Sequence, residues 1–224
     1  QARSLMTADE YAQEFECSFE AAVVGSYYGR LIASLEADKR IGRVPYDPAV
    51  PVTTAWDLGI GDSTAIWFAQ QVAKEVHLID FYEASGVGLD HYAKLLREKP
   101  YVYAEHLLPH DVEARELGTG KSRVEVLRAL GILPRVLKAQ SVEDGINAAR
   151  LLLPRCGIDG EKCARGIEAL RLYRREWDEK LKAFKARPLH DWTSHAADAL
   201  RELAMGLHAA PIAQKLTYSN KGIV

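Results

Sequence analysis

Three aspartates that lie far apart in the sequence occupy positions that secondary structure alone explains poorly. Asp57 ends an apolar predicted strand, where a carboxylate is costly to desolvate unless it is paired or bound to a cation. Asp111 follows a second predicted strand, and Asp198 lies in the alanine-rich stretch HAADALRELA. A set of oxygen ligands suits Mg²⁺ or Mn²⁺ rather than Zn²⁺. The three residues are therefore candidate metal ligands, although Asp57 by itself is equally consistent with a turn aspartate that accepts hydrogen bonds from loop amides.

Gathered carboxylates without a compensating cation would repel one another. Two divalent ions about 4 Å apart would remove this repulsion and could clamp the attacking and leaving oxygens of a phosphodiester displacement. In this hypothesis Asp57 bridges both ions. One ion orients the attacking water, and the other stabilises the departing 3′ oxygen.

Four further residues are weaker candidates for accessory roles. His195 shares a helical face with Asp198 and Glu202, and its ring could bind a ligand carboxylate, contact DNA or simply pack. His110 could assist Asp111 or shape the turn. Asp80, at the end of a third predicted strand, could approach the metal site or be solvated at the sheet edge. Asp191 is consistent with a helix cap.

A basic segment extends from Arg171 to Arg187, with seven lysines and arginines against three acidic residues. It is consistent with a solvated charged face or with a strip that contacts phosphates. The spacing of Trp177, Leu181 and Phe184 fits a helix, but a hairpin centred near residues 178–180 fits as well. The residues predicted to contact DNA are Lys121, Arg123, Arg174, Arg175, Lys180 and Lys182.

The composition is that of an ordinary soluble domain. The chain has 224 residues, of which 48% are hydrophobic and 27% charged, and its net charge of −2 excludes a uniformly basic nucleic-acid-binding surface. No apolar run reaches the ~20 residues of a membrane span, and no secretion signal is recognisable. The three cysteines lack CxxC spacing, which favours buried thiols in a reducing compartment.

The order of predicted elements indicates an α/β fold with a mixed sheet. Three early strands follow one another as hairpins, with Gly59 and Gly61 expected to supply positive φ at the first turn. Later strands are separated by helices and should run parallel to the first strand. The predicted strands are 52–57, 64–68, 75–82, 101–108 and 132–137, and the predicted helices are 88–98, 122–131, 141–153, 159–173 and 193–208. Asp57 and Asp111 should then emerge at the same sheet edge.

The flanking segments have a different character. A capping box at Thr7–Glu10 predicts a helix through Phe15, a second helix is predicted from about residue 19 to 39, and three prolines between 42 and 51 indicate a linker. We therefore predict a helical lead-in at 1–45, a main domain at 46–208 and a flexible tail at 209–224. Because the chain begins at Gln1, we expect it to be part of a longer protein.

The sequence around the three aspartates resembles the nuclease domain of tailed-phage large terminase subunits. The resemblance rests on TAWDLGIGDSTA, LLPHDVEA and HDWTSHAADALR, and it covers most of Tyr46–Leu207. It implies an RNase H-like fold with flanking helices and a metal-dependent endonuclease that cuts concatemeric viral DNA, with Asp57, Asp111 and Asp198 as ligands of two Mg²⁺ or Mn²⁺ ions. The implied partners are double-stranded DNA, an ATPase motor domain, the portal and the small terminase subunit, in the cytoplasm of the infected host and without a membrane.

Two classes of alternative remain open at this point. No GxxxxGK[ST] phosphate loop occurs in the chain, so ATP hydrolysis is not assigned to it. The same fold could serve as a non-catalytic DNA-binding or docking module whose carboxylates are structural. Another RNase H-like nuclease of the resolvase or transposase type, or an actin-like kinase domain with its DxG phosphate turn, is also consistent with parts of the pattern.

Overall fold

The computed structural model describes residues 25–59, 62–115 and 120–208, so the capping box at Thr7–Glu10 and the predicted tail lie outside the described residues. Nine strands are present in these ranges: β1 Ile41–Gly42, β2 Val52–Leu58, β3 Ser63–Val72, β4 Glu75–Ser85, β5 Tyr103–Leu108, β6 Pro134–Val136, β7 Cys156–Asp159, β8 Arg175–Asp178 and β9 Ala183–Pro188. The helices are α1 Gly29–Ala37, α2 Leu89–Glu98, α3 Arg123–Ala129, α4 Val142–Leu152, α5 Ala164–Leu172 and α6 Ser194–His208.

Seven strands form one mixed sheet in the order β1-β7-β4-β3-β2-β5-β6. The pairs β2–β3 and β3–β4 are antiparallel hairpins, because short turns can only reverse the chain. The strands reached through longer connections are parallel to their neighbours: β5 to β2, β6 to β5, and β7 to β4. The predicted mixed sheet with an early antiparallel part is therefore confirmed.

Alternation of side chains along the strands creates two hydrophobic cores on opposite faces of the sheet. On one face, Ala55 and Trp67 belong to a core shared with α1, α4, α5 and α6. On the other face, Trp56 and Phe68 pack with residues of α2 and α3. Asp57 is two residues after Ala55, so it projects from the face that α6 covers.

Small residues let α6 approach the sheet closely. Ala196, Ala197 and Ala199 are fully or almost fully buried against the first core. The Trp67 Nε1–H donates to the backbone oxygen of Ala196 at 2.8 Å, which fixes the start of the helix on β3. At the other end a Cβ on Gly206 would lie 2.3 Å from Cδ1 of Leu107, so only glycine allows this approach to β5.

The first turn differs from its prediction in one respect. Gly59 does not have positive φ; among the described residues, the glycines that do are Gly86, Gly120 and Gly131. A Cβ on Gly59 would instead lie 2.5 Å from the backbone oxygen of Ser63. Glycine is needed there because the two arms of the turn come close together. Gly61 lies outside the described residues.

Residues 156–159 form a strand that the sequence did not predict. Asp159, expected to cap a helix, ends β7, and its carboxylate accepts hydrogen bonds from the backbone N–H of Val44, Glu161 and Lys162. The following helix begins only at Ala164. β7 is missed because four residues, CGID, carry no alternating pattern, and its pairing with β4 and β1 is long-range.

Residues before the proline-rich segment contribute to the core of the domain. Tyr28 and Ile32 are fully buried and Leu35 is 3% exposed. Within the predicted linker, β1 pairs with β7. The predicted domain boundaries stay predictions. The helix α1, which precedes the proline-rich segment, packs against the main domain.

None of the helices in the described ranges combines the length and apolar character needed to cross a membrane.

Candidate active site

Two of the three predicted aspartates lie at one edge of the sheet because their strands are adjacent and parallel. The β2–β5 ladder runs to the pair Ala55–Leu107, and Asp57 lies two residues further along β2. After β5, Pro109 precedes a single 3₁₀ turn at His110–Glu113 that carries Asp111. The carboxyl ends of parallel neighbours are the expected place for a ligand site.

The third aspartate reaches the same place from α6. Asp57, Asp111 and Asp198 all line one cavity of about 260 Å³, together with the predicted accessory residue His110. Glu202, one helical turn after Asp198, adds a fourth carboxylate to the wall. The remaining lining residues are Pro109, Leu137, Lys138, Gln140, Ser141, Val142, Gly145, Arg201 and Met205. Among the described residues of the wall, four carboxylates thus face two cations, Lys138 and Arg201, which leaves an excess of negative charge.

His195 positions Asp57 from the first turn of α6. Its ring is 5% exposed, with Nδ1 2.9 Å from Oδ2 of Asp57 and Nε2 3.2 Å from Oδ1 of Asp62. The hydrogen bond with Asp57 raises the pKa of His195, burial opposes this rise, and the charge of Asp57 adds to it. An imidazolium can donate from both nitrogens at once, so the two carboxylates favour the charged form.

Arg201 binds Asp198 within the helix. The guanidinium Nη2 lies 2.6 Å from Oδ1 of Asp198. Burial raises the pKa of Asp198 to about 6, the charge of Arg201 opposes that rise, and the charge of Asp57 adds to it. The carboxylate is therefore less acidic than an exposed aspartate even with an arginine beside it.

The pKa of Glu202 is raised in the same way as that of Asp198, and to a higher value. Burial raises its pKa to about 7, Arg201 opposes this, and the negative charges of Asp198, Asp57 and Asp111 add to it. Carboxylates that repel one another in a shared cavity add to such a rise in pKa, and a bound divalent cation relieves the repulsion.

The donors suit a hard divalent cation in their chemistry. In the ranges 25–59, 62–115 and 120–208, no three His, Cys, Asp or Glu side chains are gathered tightly enough to hold a metal ion as they stand. The wall is nevertheless rich in carboxylate oxygens, which Mg²⁺ and Mn²⁺ prefer, and it lacks thiolates. The set fits such an ion in type and charge, and its side chains would have to draw together around it.

Asp80 is not part of this cavity. It is 5% exposed, and its carboxylate forms a short ion pair with Lys99 and accepts hydrogen bonds from the Tyr101 hydroxyl at 3.0 Å and the Phe81 N–H at 2.9 Å. Edge solvation is therefore the wrong interpretation of Asp80, and its contacts are those of a buried structural ion pair.

Among the predicted DNA contacts, Arg123 has a structural position. It is 8% exposed, and its Nη1 donates to the backbone oxygen of Leu58 at 2.9 Å, which ties α3 to the end of β2. Lys121 is exposed, and the prediction that Arg123 and Lys121 contact DNA stays a prediction. Asp191 accepts hydrogen bonds from the N–H and hydroxyl of Thr193 beside the start of α6, in agreement with a turn or cap role.

The basic segment is a hairpin rather than a helix, with β8 and β9 paired antiparallel. Part of its charge is neutralised internally: Lys182 pairs with Glu179 at 3.0 Å, and Arg187 pairs with Glu176 at 2.6 Å. Arg175 and Lys180 are exposed, while Arg174 is half-buried. The prediction that this segment contacts DNA stays a prediction.

Sequence reasoning missed three charged residues of the cavity wall, Glu202, Arg201 and Lys138. The i+4 spacing placed Glu202 on the face of Asp198, but the residue was not counted as part of the site. Arg201, at i+3 from Asp198, was visible by the same rule. Lys138 gave no signal, because it comes from the connection between β6 and α4 and reaches the cavity only through the fold.

Neither protein-family models nor curated proteins gave a match to this sequence. Solved structures did: the large terminase of a thermophilic bacteriophage in complex with ADP is 18% identical with a TM-score of 0.56, over 73% of this chain and 41% of that one. The P22 large terminase nuclease domain is 19% identical (TM-score 0.56), with 76% of this chain and 89% of that one covered. The large terminase nuclease from the thermophilic phage G20c with bound magnesium is 15% identical (TM-score 0.55), with 80% and 96% covered.

The chain therefore spans about two fifths of the length of the ADP-bound large terminase and nearly the whole of the two separate nuclease domains. This likeness agrees with the predicted α/β fold, a mixed sheet with flanking helices. The chain has the fold of large terminase nuclease domains.

Proposed function

We propose that this chain is a metal-dependent DNA endonuclease, the nuclease part of a phage large terminase subunit. The observation that carries the proposal is the convergence of Asp57, Asp111 and Asp198 on one cavity with an excess of carboxylates. The three residues come from β2, from the turn after β5 and from α6, and packing alone gives no reason for them to meet. The fold shared with large terminase nucleases supports the same activity, and the G20c relative was solved with bound magnesium.

Asp57, Asp111 and Asp198 would hold one or two Mg²⁺ or Mn²⁺ ions. Such ions supply Lewis-acid stabilisation of charge on the phosphate and activate water for in-line attack. The residues of the chain would do the rest: His195 fixes the orientation of Asp57 through its Nδ1, and the sheet edge holds Asp57 and Asp111 side by side. Lys138 lies on the cavity wall, where it can contact a DNA phosphate.

In the full protein this activity would cut concatemeric viral DNA at the start and end of packaging. The partners would be double-stranded DNA, an ATPase motor domain, the portal and the small terminase subunit, in the cytoplasm of the infected host. The part of the ADP-bound large terminase that this chain does not span leaves room for a motor domain.

A plasmid assay tests the activity. We expect the purified chain to nick and linearise supercoiled plasmid in Mn²⁺ or Mg²⁺, without sequence preference and not in EDTA. Asp57→Ala should abolish cleavage while leaving the circular dichroism spectrum unchanged, and Asp38→Ala, an exposed aspartate at the end of α1, should cut like the wild type.

Two outcomes would count against the proposal. Intact plasmid over a wide range of metal concentrations would favour the non-catalytic docking module. Undiminished cleavage by the Asp57→Ala variant would show that the activity does not arise at this cavity.

A further inference from the structure

We propose that Arg201 is the resident counter-cation of the carboxylate cavity, which holds Asp198 and balances the acidic wall until a divalent ion binds. This inference rests on the proposed metal site and adds a positioning residue to it. The resemblance implies roles only for Asp57, Asp111 and Asp198, whereas Arg201 is assigned its role by its contacts.

The first observation is the geometry of the ion pair. Nη2 of Arg201 lies 2.6 Å from Oδ1 of Asp198, a charge-assisted hydrogen bond that fixes the orientation of the carboxylate. Arg201 engages Oδ1, so Oδ2 is the Asp198 oxygen that a metal ion could take without breaking this bond.

The second observation is that the arginine is built into the fold. Its side chain is only 15% exposed, and its Nε is buried without a hydrogen-bond partner among the described residues. The stem packs against Gly145 of α4, where an added Cβ would lie 3.1 Å from Cδ of Arg201. An exposed arginine that merely pairs along a helix does not need a glycine on the facing helix.

The third observation is the charge of the surroundings. Arg201 and the exposed Lys138 are the two cationic side chains lining the cavity, against four carboxylates. Removal of the guanidinium would leave a largely buried Asp198 without its ion-pair partner.

A divalent ion and Arg201 would therefore both neutralise the negative charge of the cavity carboxylates. If so, loss of Arg201 harms the metal-free protein more than the metal-bound protein, because the ion supplies the missing positive charge. By linkage, the stabilisation that the metal gives must then be larger in the variant than in the wild type.

Thermal unfolding with and without metal tests this coupling. Arg201→Met, which keeps the apolar stem, should lower the Tm in EDTA by about 5 °C or more, as expected for a broken and largely buried ion pair. Saturating Mn²⁺ should recover most of this loss, so that the Mn²⁺-induced rise in Tm is larger than in the wild type. Arg201→Lys, which keeps the charge, should show a rise close to that of the wild type.

A matched control separates charge balance from packing. Arg150 is a partly buried arginine on α4 whose Nε donates to the backbone oxygen of Tyr27, and it does not line the cavity. Arg150→Met should lower the Tm equally with and without Mn²⁺. In a double-mutant cycle in EDTA, the effect of Arg201→Met should shrink when Asp198 is already Asn, because its partner charge is gone.

The outcomes distinguish this inference from the proposed function. An equal Mn²⁺-induced rise in the wild type and Arg201→Met, with the same loss in both conditions, would make Arg201 a packing residue and overturn the inference alone. An undiminished effect of Arg201→Met in the Asp198→Asn background would also overturn it. If Mn²⁺ does not stabilise the wild-type protein at all, the metal site itself fails, and this inference fails with it.

Discussion

Two carboxylate sites of this protein lie on neighbouring parts of one sheet and have opposite electrostatic character. Asp80 on β4 is a single carboxylate with three donors: Lys99, the Tyr101 hydroxyl and a backbone N–H. Asp57 on β2 belongs to a cavity where four carboxylates face two cations. The first site is closed and balanced, whereas the second is open and unbalanced.

If the proposed function holds, the difference shows which property distinguishes a ligand-binding carboxylate from a structural one in this fold. The two sites also differ in burial, since Asp80 is 5% exposed whereas the four carboxylates of the cavity are half-buried or exposed. The distinguishing property is whether the protein itself supplies the counter-charge. A balanced carboxylate stabilises the fold, while an unbalanced set has a free energy to gain from a ligand cation.

The largest expected effect is on catalysis. Asp111→Asn and Asp198→Asn should each reduce the plasmid cleavage rate in Mn²⁺ by at least about 100-fold, because each removes a negative ligand from the proposed metal site. Asp80→Asn should leave the cleavage rate per folded molecule unchanged. Single-turnover kinetics, with the folded fraction measured by circular dichroism, checks both. A strong loss of cleavage in Asp80→Asn would show that the two carboxylate sites do not differ in their importance for catalysis.

The second largest expected effect is on stability, and we expect it at Asp80 rather than at the cavity. Asp80→Asn should lower the free energy of unfolding by about 3 kcal/mol, because Lys99 then keeps a mostly buried charge without its partner. Urea denaturation measures this loss. The double variant Asp80→Leu with Lys99→Met should recover much of the stability, and no recovery would show that the pair does more than balance charge.

The pH dependence of stability should differ between wild type and a cavity variant. The pKa of Glu202 is raised from 4.5 to about 7 and that of Asp198 from 3.8 to about 6, so between these values the folded state binds more protons than the unfolded state. Stability in EDTA should therefore fall as the pH rises from about 4 to about 7. His195 acts in the same direction, because its raised pKa makes its contribution disappear as it loses its proton.

Glu202→Gln should flatten this fall, and Glu168→Gln, an exposed glutamate on α5, should leave it unchanged. Urea denaturation in EDTA at half-unit pH steps measures the slopes. A fall of the same steepness in Glu202→Gln and the wild type would show that the pKa of Glu202 is not raised in the folded protein.

The smallest expected effect concerns the hairpin β8–β9, a surface region whose basic residues are partly paired with its own acidic residues. Replacement of Arg174, Arg175 and Lys182 with Ala should weaken DNA binding in Ca²⁺. It should also make the fall of the log binding constant with log salt concentration less steep, by about one or two in slope. The effect is modest because Lys182 already pairs with Glu179. Fluorescence anisotropy at several salt concentrations measures the slope, and an unchanged slope would make the hairpin an ordinary solvated surface.

Local patterns predicted most of the elements that position the cavity. The predicted helices 122–131 and 141–153 correspond to α3 and α4, which begin after the N-caps Ser122 and Ser141, and the order of strands predicted the antiparallel hairpins and the parallel β5. Elements whose stability depends on distant partners were missed. β7 is only four residues long, and it is stabilised by its pairing with β4 and β1. Arg123 has no local feature that distinguishes it from a surface arginine, and only the fold places it where it donates to the backbone oxygen of Leu58.

The sequence by itself determined the fold class and the sheet edge at which Asp57 and Asp111 emerge, because strand order and the directions of short connections are local properties. Only the tertiary structure decided which carboxylates are balanced. Asp57 and Asp80 look alike in sequence, each an acid in an apolar strand. Lys99 and Tyr101 reach Asp80, while the carboxylates that crowd Asp57 come from the turn after β5 and from α6. Coulomb energy depends on distances through space, and the packing of remote elements sets those distances.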